Sequence, residues 1–271
     1  MIKKEKNDFV WYQFEKLALR PDIFHCITTR KGGTSTGTYE SLNLSFNTGD
    51  ERENVKKNRE KLAAAAGIKP ECLIFPRQVH GDTIKTIPAD FFTLSPAGRE
   101  HLLEQTDALV TDVKGLCIGV LAADCVPLLL YDPVRKVVAA VHAGWKGTTA
   151  FIAAKTVFYM KERFQCNPSE IIAGIGPSIS PDVYEVGTEV VECFQKQYGK
   201  EERKKIILQK DAHFYLNLWE ANRIQLLQQG ILPDHIEIAG LCTYQNPSLF
   251  YSARRSGMRT GRFAAGIMIK N

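Results

Sequence analysis

The amino-acid sequence predicts an α/β fold: a single layered domain over residues 1–271, built of mixed β-sheets flanked by helices. Three features carry that prediction. The middle of the chain holds a series of short apolar or alternating runs broken by Asp, Gly and Pro, as strands require. Longer segments with apolar residues near helical spacing accompany them. No internal repeat, low-complexity tract or long Pro/Ser linker divides the chain, and 271 residues lie near the upper limit for one compact core.

In chain order, a short polar start leads to a strand at 25–29, which runs into a glycine-rich loop at 30–37. Asp50 is placed as the N-cap of a helix reaching about Ala66, with Gly67 as its stop. Strands are expected at 83–87, 109–111, 116–122, 126–131 and 136–141. Residues 116–131 and 137–141 are nearly continuous apolar runs, the pattern of strands covered on both faces. A helix follows at 148–164, a strand at 170–174 and a helix at 188–198. The mixed-charge run 200–205 reads as a solvated surface. An amphipathic helix at 218–229 closes at Gly230. Late strands at 236–242 and 264–269 enclose a basic, glycine-containing loop at 253–262. Strand pairing, parallel or antiparallel, stays open at this level.

Composition excludes several classes. Hydrophobic residues make up 44% and aromatics 10%, far above what a disordered chain carries. No stretch approaches the ~20 apolar residues that span a bilayer. The start, Met1 to Tyr12, sets Asp8 soon after its lysines and has no apolar core of a signal peptide. The net charge of +5 is mild, admitting anionic ligands without pointing to nucleic acid. Seven scattered cysteines, odd in number and without a CxxC pair, imply free thiols in a reducing cytoplasm.

Three segments place a metal-capable side chain beside a turn at the end of an expected strand. They are Gln78-Val-His80-Gly81, Ala123-Asp-Cys125-Val-Pro127 and Val141-His142-Ala-Gly-Trp145. Two imidazoles and a thiolate, with water in the fourth position, make a catalytic zinc site. The gaps of 45 and 17 positions are too long for local geometry to impose convergence. Cys125 as a core thiol with two hydrogen-bonded histidines is the alternative. Cys125 as nucleophile with His142 as base, oriented by Asp124 or another acid, is a metal-free Cys–His acyl hydrolase. A metal on the sulfur excludes that last reading. Gly144-Trp-Lys-Gly-Thr-Thr149 has the wrong order for a P-loop, and Gly174-Ile-Gly176-Pro lacks the third glycine of a dinucleotide fingerprint. His25, His101, His213 and His235 read as ordinary surface or half-buried residues. Arg30, Arg59, Arg254 and Arg255 lie near turns where a guanidinium fork can receive phosphate or carboxylate. Asn43 is either a base or ribose contact or a turn former.

At these segments the sequence resembles the YfiH/YlmD family, to which the human laccase-domain-containing protein FAMIN also belongs, and it looks close to the YlmD branch. The likeness runs from Thr29-Arg-Lys-Gly-Gly33 to Gly261-Arg262. Its most specific pieces are Ser41-Leu-Asn-Leu44, Gln78-Val-His-Gly81, Thr106-Asp-Ala108, Ala123-Asp-Cys-Val-Pro127 and Val141-His-Ala-Gly-Trp-Lys-Gly147. Gly176-Pro-Ser-Ile179, Tyr184-Glu-Val-Gly187 and Cys242-Thr243 continue it.

The resemblance implies an α/β/β/α sandwich and a zinc site on His80, Cys125 and His142. It also implies phosphorolysis of adenosine, inosine, guanosine and methylthioadenosine, with hydrolytic deamination of adenosine. Purine nucleosides and phosphate are then the partners, with neither nucleic acid nor membrane. An older label for the family is multicopper polyphenol oxidase. Copper is disfavoured as the main chemistry, because only four histidines remain beyond the three ligands and none forms a His-x-His pair. Where many members have a second cysteine two residues after Cys-Thr, this chain has Gln245. For phosphorolysis, cationic side chains must hold the attacking phosphate. Arg59 and Arg30 are the candidate holders and Asn43 a candidate substrate contact; the proton donor to the leaving base is unassigned, with Asp124 a candidate by adjacency to Cys125 alone.

Overall fold

The computed structural model describes residues 1–6 and 8–271. One six-stranded sheet runs in the order Ile2–Lys6, Phe9–Gln13, Ile23–Thr28, Phe263–Ile269, Cys117–Ala122 and Leu73–Ile74. A second runs Ile236–Ile238, Ile172–Ile175, Val126–Asp132, Val137–Ala143, Ala108–Thr111 and Ile84–Thr86. Its four inner strands pair antiparallel, and both edge strands pair parallel with their neighbours. A three-stranded sheet of Glu185–Val186, His213–Leu216 and Ile207–Lys210 lies apart from these.

Side-chain alternation along these strands sorts residues into layers. Ile118, Val120, Ala265 and Ile267 of the first sheet share a buried core with Leu109, Leu129, Val138 and Ala140 of the second. The opposite-facing Cys117, Ala264 and Met268 pack with Leu62 of helix Arg52–Ala66. On the far face of the second sheet, Leu128, Leu130, Ala139 and Val141 pack with residues of helices Ile152–Phe164 and Leu218–Gln228. The result is the expected α/β/β/α sandwich. Each fully buried aliphatic contributes about 1.5–3 kcal/mol, so three such cores hold the sheet ends rigid. Among the described residues no helix is long and apolar enough to cross a membrane.

Several elements depart from the sequence expectation. Asp50 does not cap the helix Arg52–Ala66; the N-cap is Glu51, and Asp50 instead accepts hydrogen bonds from Ser35 and Asn43. Gly67 does end that helix, in the left-handed region at φ 70°. The expected helix at 148–164 is two helices, Trp145–Thr149 and Ile152–Phe164, separated where Phe151 takes φ 62°. Phe151 stacks on Tyr198 at 5.4 Å, and this tertiary contact overrides helical spacing. The polar start forms a hairpin, Ile2–Lys6 with Phe9–Gln13. Its outer strand presents exposed charged residues, which protects a sheet edge but hides the alternation that signals a strand. The charged run at 200–205 lies in helix Lys200–Ile206, and the strand expected at 236–242 stops at Ile238.

His25, expected as a surface or half-buried residue, is 1% exposed, and its Nε2 accepts the Phe14 N–H at 2.9 Å. Burial lowers its pKa to about 4. The folded state therefore takes up this proton later than the unfolded chain, so its contribution is complete above pH 6.5 and is lost as pH falls toward 4. The shift corresponds to roughly 3 kcal/mol. Urea unfolding at pH 7.5 and pH 4 should show wild type losing about that much more stability than His25→Gln, whose amide oxygen can still accept the N–H.

Candidate metal centre

Sheet register brings the three distant segments together. Val126 pairs with Ala143 and Pro127 with His142, so Cys125, just before its strand, lies beside Gly144. On the other side Ala108 pairs with Val141, which sets Asp107 against His142. The strand expected to end at 141 runs on to Ala143, so His142 lies within it, beside the turn, and the sheet fixes it. The metal-capable atoms of His80, Cys125 and His142 all lie within 4.8 Å of one another. The two imidazoles meet edge to face with centroids 4.9 Å apart. Burial rises from exposed His80 through half-buried Cys125 to buried His142, so the cluster opens to solvent on one side.

Asp107, which sequence reasoning did not single out as a site residue, ties the cluster together. Its carboxylate accepts the N–H groups of Val79, His80 and Gly81 at 3.2, 3.0 and 2.8 Å. The same carboxylate lies 2.8 Å from His142 Nδ1, and the Asp107 main-chain carbonyl accepts the His142 N–H at 2.8 Å. His142 is thereby oriented with Nε2 toward the cluster, as a metal-binding imidazole is. His80 itself is held at φ 61°, a conformation that L-residues adopt rarely. Burial opposes the charge on Asp107, but His142 and the N–H groups outweigh it and hold its carboxyl below the usual range. Burial also opposes ionisation of Cys125, yet His142 and His80 bring its thiol down to about 6. His142 is pulled up against burial by Cys125 and Asp107. The two imidazoles thus favour the thiolate, the form that metals bind.

Gly144 gives the sulfur its space. A Cβ there would lie 2.9 Å from Cys125 Sγ and 3.3 Å from His80 Cδ2. Gly144→Ala should therefore lower turnover by about 100-fold through displaced ligands, while circular dichroism and thermal unfolding stay near wild type. Metal content, measured by atomic emission, should fall with activity.

The remaining expected residues have varied settings. Asp124, at φ 90°, accepts Thr243 Oγ1 at 2.6 Å, Ser252 Oγ at 3.0 Å and the Arg254 N–H at 2.7 Å. These three donors occupy both carboxylate oxygens, so the part of proton donor expected of Asp124 competes with a filled hydrogen-bond set. Its part is to hold the 243–254 segment against the Cys125 turn. Asn43 is fully buried: its amide nitrogen contacts Ser45, Thr48 and Asp50, and its oxygen accepts the N–H groups of Ser45 and Arg262. Arg30 donates to the carbonyls of Glu40 and Pro247 and lines a separate hollow with Lys31 and Ser248. Arg59 lies between the rings of Phe46 and Phe75, its carbon 4.3 and 4.9 Å from their centroids, and donates Nε to the Leu44 carbonyl. It borders a hollow of about 430 Å³ with Ser45, Arg77 and Leu121. Burial first, then Arg52, lower its pKa to about 10, so it stays charged at neutral pH. Sequence reasoning also passed over Tyr184, whose ring lies 5.1 Å under the Arg254 guanidinium, although its Tyr-Glu-Val-Gly motif was visible.

The geometry has counterparts among known proteins. A family model described as multi-copper polyphenol oxidoreductase laccase matches residues 24–270. A protein of Bacteroides thetaiotaomicron named purine nucleoside phosphorylase is 40% identical over 256 residues, covering 94% of this chain and 95% of that protein. Adenosine deaminase RL5, from an unknown prokaryotic organism, is 36% identical over 272 residues and covered in full on both sides. The crystal structure of Bacillus licheniformis YfiH superposes with a TM-score of 0.89 at 33% identity, covering 99% of each chain.

Proposed function

Since the chain belongs to the YfiH family, described as multi-copper polyphenol oxidoreductase laccase, we propose that it is a zinc-dependent purine nucleoside phosphorylase with adenosine deaminase activity. The observation that carries this reading is the convergence of His80, Cys125 and His142 at one open-sided point. Relatives named for phosphorolysis and for deamination support both activities. The substrates are adenosine, inosine, guanosine and methylthioadenosine, with phosphate.

Two imidazoles and a thiolate suit zinc, and Asp107 supplies the outer hydrogen bond that a ligating histidine needs. When bound there, zinc supplies Lewis-acid chemistry. The protein's own groups do the rest: Asp107 fixes the ligands, Asp124 holds the 243–254 segment against the Cys125 turn, and Arg59 offers cationic charge in the hollow it borders with Ser45, Arg77 and Leu121. Copper oxidation lacks a second cluster: among the described residues no other group of three His, Cys, Asp or Glu converges. His25 accepts a main-chain N–H and His213 pairs with Glu185. All seven cysteines are free, which fits a reducing cytoplasm as the site of action.

The test is product identification. Protein of defined metal content is incubated with adenosine, with and without phosphate. Ribose 1-phosphate and adenine forming only with phosphate are expected, together with inosine that forms without it. Absence of both sets of products from zinc-replete protein would overturn the reading.

A further inference from the structure

Arg262 lies at a junction that neither the metal ligands nor the expected phosphate-holding arginines account for. It precedes the strand Phe263–Ile269, and Phe263 pairs antiparallel with Ala122. Continuing that register sets Arg262 alongside Ala123, the first residue of the turn that carries Asp124 and Cys125. Its backbone is held from the other side as well. The Arg262 N–H donates to Asn43 Oδ1 at 2.9 Å, and its carbonyl accepts the Leu44 N–H at 3.1 Å.

The side chain is fixed at one end and open at the other. Nη1 donates to the carbonyls of Thr260 and Gly261 at 2.6 and 3.0 Å. Nε and Nη2 have no protein acceptor, and no carboxylate lies within 4.0 Å of the guanidinium, among the described residues. Neighbouring groups do not balance it. Asp124 is filled by Thr243, Ser252 and Arg254, while Arg254 and Arg255 turn their own forks to the carbonyls of Glu185, Thr243 and Phe250. A half-buried guanidinium cannot shed its proton, so leaving it without an anion is unfavourable. Burial lowers its pKa while the charges of Cys125 and Asp124 raise it, in keeping with its place beside the turn.

We propose that Arg262 holds the attacking phosphate next to the metal centre, through paired hydrogen bonds from Nε and Nη2. This rests on the phosphorolysis reading above and names its anion-binding residue. A guanidinium edge with two parallel donors matches two phosphate oxygens, and phosphate, unlike the O6/N7 edge of a guanine or hypoxanthine base, brings the negative charge that this guanidinium lacks. In the reaction an oxygen of hydrogen phosphate forms the bond to ribose C1′ as the C1′–N9 bond breaks. The bonding pair leaves on N9, and the proton of hydrogen phosphate ends on the purine. The products are ribose 1-phosphate and the free base. Arg262 stays charged throughout.

The experiment compares wild type with Arg262→Gln and Arg262→Lys. Arg262→Gln is expected to raise KM for phosphate by about 10–100-fold, with KM for the nucleoside at saturating phosphate and zinc per chain near wild type. Arg262→Lys should fall between, as a point charge without the fork. Inorganic phosphate alone should raise the Tm of wild type and not of Arg262→Gln. An unchanged phosphate KM with a retained phosphate-induced Tm shift overturns the proposal. So does an equal rise in both KM values with lost zinc, which marks Arg262 as a staple of the C-terminal segment only. If wild type forms no ribose 1-phosphate, the functional reading fails instead, and the Tm shift still reports whether Arg262 binds phosphate.

Discussion

Cys125→Ser is expected to lower kcat/KM for phosphorolysis by at least about 10³-fold and to take bound zinc from one per chain to a small fraction of that. Losing an outer hydrogen bond to a ligand already costs about 10–100-fold, and removing a ligand costs more. A serine hydroxyl keeps the shape of the side chain but is not deprotonated near neutral pH, so it offers zinc no anionic donor. Cys125 lies half-buried in a turn outside the main cores, so unfolding should move little. The same variant tests the metal-free Cys–His hydrolase, because Asp107, His142 and Cys125 also form a chain from acid to base to thiolate. Iodoacetamide distinguishes the two. Zinc should protect Cys125 from alkylation, and activity should vanish with chelation before any label is added. Activity that survives chelation and disappears on stoichiometric labelling of Cys125 would favour the hydrolase.

His80, Cys125 and His142 were legible as candidates because His, Cys and His beside strand ends are a restricted chemistry, though spacing left the core-thiol alternative open and the resemblance to the YfiH/YlmD family was needed to favour them. Their convergence was not legible. It depends on Pro127 pairing with His142 and Ala108 with Val141, register choices made by the whole sheet. Asp107 escaped notice for the same reason. An Asp before an apolar strand reads as a turn residue, and only the folded sheet aims its carboxylate at three consecutive N–H groups. The helix break at Phe151 is likewise tertiary, since Gln225 and Asn222 from a distant helix hydrogen-bond Thr148 just before it. Helix ends such as Gly67 were readable because the signal there is local.

Asp107→Asn should separate the parts of that carboxylate's work. An amide can still place one oxygen near the N–H groups of residues 79–81, but it offers no charge and adds two donors that face other donors. The His142 ring would lose its anionic partner at Nδ1, and with it the restraint that points Nε2 at the cluster. Zinc affinity and turnover are each expected to fall by about 10–100-fold, with KM for nucleoside changed less than kcat. Because Asp107 is fully buried, leaving its former partners unsatisfied should also lower stability by about 3–5 kcal/mol, whereas Cys125→Ser should not. Zinc titration by competition with a chromophoric chelator and urea unfolding on the metal-free protein measure the two effects apart. If Asp107→Asn binds zinc like wild type yet unfolds early, the carboxylate holds the 79–81 turn and does not tune the metal ligand. Full zinc affinity with wild-type stability would mean that the N–H groups and the imidazole find other partners, and the assignment of Asp107 would fail.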